Sequence, residues 1–205
     1  DSADAITVDA ADEIVITTTS ADGHIALVSA HTAGVAFHID ANANADSEVQ
    51  IDAGILDIDV TGAATLDAAS LDITSDAVTF TSANADDPLV QIKNTTNDAT
   101  GARLRFVKDK GGAGAADDVA GLIEFYADDA NQDQVLFSEI KSQVAVHTNG
   151  QEGGKLTLSV ASHDGESQPG LIISDGSAED EVDVTLGNGD GSLTTISGDL
   201  KLAHD

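Results

Sequence analysis

Val49-Gln50-Ile51-Asp52, Leu56-Asp57-Ile58-Asp59, Ala64-Thr65-Leu66-Asp67, Leu71-Asp72-Ile73-Thr74 and Val78-Thr79-Phe80-Thr81 are five versions of one short phrase. Their starts at 49, 56, 64, 71 and 78 step by 7, 8, 7 and 7 residues. Within each phrase the apolar residues sit two apart, which places them on one face of a strand and Asp or Thr on the other. A heptad coiled coil would need apolar spacings of 3 and 4, and the phrases do not supply them. Strands of about 4–5 residues with corners of about 3 are too short and too regular for a sandwich. Ala53-Gly54, Thr61-Gly62 and Ala68-Ala69-Ser70 suit the corners. The expected element is therefore a β-prism or β-helix, with three phrases per turn.

Looser copies precede the repeat at Ile6/Val8, Ile14/Ile16, Ile25/Leu27 and Val35/Phe37, spaced by 8, 11 and 10. Twenty Ala in residues 1–88 fit a narrow core. Two architectures satisfy the pattern. One chain could coil alone as a solenoid, which would then need capped ends. Alternatively, three identical chains could wind about one axis and close each other's strand edges. Edge closure without caps favours the intertwined homotrimer.

Charge divides the chain into three. Residues 1–88 hold 17 Asp or Glu and no Lys or Arg; residues 89–166 hold 12 acids and seven of the eight bases; residues 167–205 hold 8 acids and Lys201. The first break falls at Asp86-Asp87-Pro88 and the second near Ser167-Gln168-Pro169-Gly170, so both prolines lie at expected seams. The expected domains are a fibrous β-repeat shaft over 1–88, a compact antiparallel β domain over 89–166, and a second short β-repeat segment over 167–205.

In the middle region strands are expected at 89–93, 103–107, 120–126, 135–141, 143–147 and 156–161, separated by Gly- and Asn-rich turns. The tail returns to short units at Leu171-Ile172-Ile173, Val182–Leu186 and Leu193–Ile196. The fold class is all-β: elongated shaft segments flanking a small antiparallel domain.

Leu89-Val90-Gln91-Ile92-Lys93-Asn94, Gly101–Phe106, Asp118–Phe125 and Gly153–Leu158 resemble a module of tail-fibre and tail-structural proteins of marine tailed bacteriophages. The Asp- and Thr-rich repeats before them are similar to the fibrous stretches that precede that module. Over about residues 50–200 the resemblance implies a virion protein of the tail, usually a homotrimer. It carries over no catalytic residue. It also implies other tail or baseplate proteins as partners, and a host-surface glycan or protein as receptor.

The net charge of −29 repels phosphate, which argues against broad nucleic-acid binding and against anionic membranes. No apolar run approaches the roughly 18 residues of a membrane span, and no basic-then-apolar leader opens the chain. Without Cys there is no disulfide, thiolate metal site or cysteine nucleophile. Asp1 at the start and the absence of Met lead to the expectation of a processed chain or a piece of a longer one.

The candidate chemistry is thin. His24, His31, His38, His147, His163 and His204 are scattered without ligand spacing; on a threefold axis His38, beside Phe37, could form a ring of three. Asp57 and Asp59 share a strand face and could act as paired carboxylates, but equivalent acids recur throughout the repeat, as on a solvated face. No nucleophile elbow, P-loop or dinucleotide fingerprint occurs. Gly187-Asn188-Gly189-Asp190-Gly191, and Gly111–Gly114 with Asp117-Asp118, loosely resemble calcium loops, yet read better as turns with positive φ. No catalytic, cofactor-binding or metal residue is assigned.

The expected function is a rigid trimeric spacer or adhesion fibre in an extracellular virion tail, not an enzyme. The alternatives are a bacterial or archaeal surface filament or adhesin, and a glycan-depolymerising tailspike. Five Phe, one Tyr and no Trp supply a sugar-stacking groove poorly. The acidity fits saline water, where carboxylates are screened within a few Å; at low salt the same charge should push an assembled rod apart.

Overall fold

The computed structural model describes residues 8, 10, 13–32, 34–41 and 46–202. Ile6 of the first looser unit and His204 lie outside the described residues. The chain falls into two units, Asp1–Ser75 and Asp76–Asp205. Among the described residues there is no helix, and every strand belongs to the second unit.

That unit carries a five-stranded antiparallel meander. Its strands are β1 (Val119–Asp128), β2 (Gln134–Val146), β3 (Gly153–Ala161), β4 (Ser167–Asp175) and β5 (Val182–Leu186), each paired to the next in sequence. Short connections of this kind need only local closure, and a carboxylate secures each turn. Asp129 Oδ1 accepts from the amides of Asn131 at 2.8 Å and Asp133 at 3.1 Å, while Gln132 takes φ 68. Glu152 Oε1 accepts from Gly150 N at 3.0 Å. Asp164 Oδ1 accepts from Ser162 Oγ at 2.6 Å, beside Gly165 with φ 85. Glu181 Oε2 accepts from the amides of Ser177 at 2.6 Å and Ala178 at 2.9 Å. Four of the acids outside the repeat thus serve as turn chemistry.

Segments 135–141 and 143–147, expected as separate strands, meet in β2, which ends at Val146, because Lys141-Ser142-Gln143 contains no Gly, Pro, Asn or Asp to turn the chain. A register shift between Val144 and Val146 absorbs the irregularity. The sheet also runs through the expected seam at 167–170, which lies inside β4. Pro169, which cannot donate to a ladder, sits at the register shift between β3 and β4.

No β-ladder pairs any described residue before Val119. The phrases at 49–80 and the stretches 89–93 and 103–107 carry a strand's period, and 193–196 its composition, without a partner strand in the same chain. Between Asp46 and Asp117 every residue except Ser82 is exposed. A backbone left without ladder partners is satisfied by nearby side chains, as where Asn94 Oδ1 accepts from the Thr96 amide, by water or by another chain.

Candidate functional site

The register of the meander sorts its side chains onto two faces. Ile123, Ile140, Leu158, Leu171 and Leu186 are joined pairwise across all five strands, and Leu156, Ile173 and Val184 form a second such row. These rows make one face almost wholly aliphatic. The opposite face carries Glu124 across from Glu139, Lys141 across from Thr157, and Gln143 across from Lys155.

Burial is inverted relative to an ordinary domain. Among the described residues no apolar side chain is buried, whereas Glu139, Thr157 and Ser159 are. On the polar face Thr157 lies across from Lys141 and Ser159 across from Glu139, and Lys141 Nζ donates to Glu139 Oε1 at 3.0 Å. On the aliphatic face Phe125 is 51% exposed, Val160 57% and Leu186 57%. A sheet face of this size facing water is costly, and such patches mark contact surfaces.

Phe106 is an aromatic from outside the sheet that touches this face. It lies in a shallow groove with Gly121, Ile123, Ile140 and Leu156. The absence of a side chain at Gly121 permits this approach: a Cβ there would lie 2.8 Å from Phe106 Cβ. Gly121→Val should therefore displace Phe106 and lower the melting temperature, by an amount in keeping with about 1–3 kcal/mol of overpacking. Gly154→Ala, where a Cβ meets nothing within 4 Å, is the matched control and should leave melting unchanged. Equal melting of both variants would contradict this placement of Phe106.

A second groove on the same face holds Phe125, Ser138, Ile140, Leu158, Val160 and Leu171. Glu139 and Ser159 also line the second groove, where the Glu139 carboxylate accepts from Lys141 Nζ. The features singled out in the sequence stay apart. His24, His31, His38, His147 and His163 are all exposed, and no three metal-ligating side chains converge among the described residues. Asp57 and Asp59 are exposed, with no aromatic side chain in their phrase. In the calcium-like loops, Gly111, Gly187 and Gly189 take φ 65, 85 and 78, the left-handed geometry that glycine permits. The Asp118 carboxylate is already occupied by Lys110 Nζ, at 2.8 Å, and by the Ala115 amide, at 2.7 Å.

The Lys110 hydrogen bond, followed by that of Ala115, holds the Asp118 carboxyl below its ordinary 3.8. A carboxyl held low in the folded state adds stability above the ordinary value and loses it as pH falls through the lowered one. Stability of this unit should therefore decline on acidification below about 3.8, and Asp118→Asn should flatten part of that decline. Thermal melts across pH 2–6 check this; parallel curves for the two proteins would contradict it.

Sequence reasoning placed units on the five strands of the meander, expected further strands at 89–93, 103–107 and 193–196 that do not form within one chain, and missed the inverted burial. The alternation in Leu156-Thr157-Leu158-Ser159-Val160 signalled two faces, and only the cross-strand register shows which one is covered. No protein-family model, curated protein or solved structure matches the chain.

Proposed function

We propose that this chain is a structural subunit of a bacteriophage tail fibre, assembled as a homotrimer that serves as a rigid spacer and carries host adhesion. One observation bears most of the weight: among the described residues no apolar side chain is buried. Phe125, Val160 and Leu186 stay more than half exposed on the aliphatic face of the meander, which supports a reading in which further copies of the chain cover that face.

The repeat supports the same reading. Its phrases have the period of strands, and their backbone finds no ladder within one chain. Chains wound together would pair those backbones and place Ile51, Ile58, Leu66, Ile73 and Phe80 in a shared narrow core. The resemblance to phage tail modules supplies the biological setting, with other tail or baseplate proteins at one end and a host-surface glycan or protein at the other.

A head-to-tail surface filament is the second reading, because the meander leaves one edge of β1 and one of β5 unpaired in the sheet. Two unlike edges make a heterologous contact, which closes into a ring or runs on as a filament. Immunogold labelling with an antibody to this chain separates the two. Label on virion tails is expected. Label along cell-surface filaments, with tails bare, would overturn the fibre assignment.

A further inference from the structure

The homotrimer reading leaves open which edges meet, and the second unit contains a matched pair. The outer side of β5 has no partner strand in the sheet. Along it Val182, Val184 and Leu186 continue the aliphatic face, while Asp183 and Thr185 point to the other. The preceding turn adds Glu179, Asp180 and Glu181, and residues 171–200 contain no base.

Arg103-Leu104-Arg105-Phe106-Val107 has the complementary pattern. It alternates like a strand but belongs to no ladder. Its Leu104 and Phe106 alternate with two arginines, and Phe106 already rests on the aliphatic face at Gly121. Lys110, Lys141 and Lys155 form ion pairs within the chain. Arg103 and Arg105 are exposed and form none, in a chain with 37 acids.

The two partners cannot meet within one copy. Phe106 is held at β1, and β5 lies four strands away, about 19 Å at the usual strand spacing. We propose that residues 103–107 of one copy add as a sixth strand to the free edge of β5 in the next copy, with Arg103 and Arg105 facing Asp183 and its acidic turn. This rests on the homotrimer reading and deepens it. With Arg105 opposite Asp183, Leu104 and Phe106 continue the rows of Val182 and Val184, so backbone pairing and aliphatic burial coincide. Each copy gives one strand and receives one, a heterologous contact that makes a ring of three when each step turns by a third of a circle. The charges set direction, because another β5 edge would bring acid against acid.

Because the chain has no cysteine, the contact can be trapped cleanly. In the Arg105→Cys/Asp183→Cys double variant, mild oxidation should give a denaturant-resistant band at three chain masses. Each single variant should give none. Arg103→Glu/Arg105→Glu should weaken assembly by about tenfold or more, and Glu179→Lys/Asp183→Lys added to it should restore assembly. A trimeric parent that neither cross-links in the double variant nor responds to charge reversal overturns this contact and leaves the trimer standing. A parent that sediments as a single chain overturns the trimer, and this contact with it.

Discussion

Leu158→Asp is expected to abolish assembly while leaving the turns and polar face of the meander intact. Leu158 lies on the central strand, paired with Ile140 on one side and Leu171 on the other, in the middle of the aliphatic face. It is 37% exposed in the single chain, so the rest of its cover must come from elsewhere. Burying a whole leucine contributes about 2 kcal/mol, so covering the part still exposed contributes about 0.7 kcal/mol. In a threefold assembly that counts three times, about 2 kcal/mol or roughly a 30-fold fall in association, and burying an unpaired carboxylate adds a larger cost. Thr157→Asp is the informative partner: it alters the adjacent residue on the polar face and should disturb folding rather than association. Sizing of both variants checks this. An assembled Leu158→Asp protein would show that the aliphatic face is not the contact.

Salt should act almost as strongly. Three copies carry three times −29 charges on one particle. Charges are screened within about 3 Å at 1 M salt but reach about 30 Å at 0.01 M. The melting temperature should therefore climb with sodium chloride and continue to climb above the range where isolated surface ion pairs weaken. The ion pairs Lys110–Asp118, Lys141–Glu139 and Lys155–Asp117, seen among the described residues, would drive the opposite trend if they governed stability. A melting temperature that stays flat or falls with salt would contradict self-repulsion as the main electrostatic effect.

The all-β character was legible because period-two alternation survives in short phrases. Residues 120–126, 156–161 and 182–186 lie on strands, and no helix occurs among the described residues. The boundary between middle and tail was harder to read. Short units separated by glycine looked like a new fibrous segment, yet Leu171–Ile173 and Val182–Leu186 complete the same sheet. Pro169 seemed to mark a seam, but a register shift accommodates it within β4. The burial of Glu139, Thr157 and Ser159 was not readable, since it depends on side chains from neighbouring strands. The fate of 49–80 and 103–107 was not readable either. Their period announces strands, yet no ladder pairs them in the chain, and alternation by itself does not name a partner.

Light scattering coupled to size separation at high salt tests the central claim most directly. The account predicts one species at three times 20.7 kDa. A monodisperse species of one chain mass would contradict it, because the aliphatic face would then have no second copy to cover it.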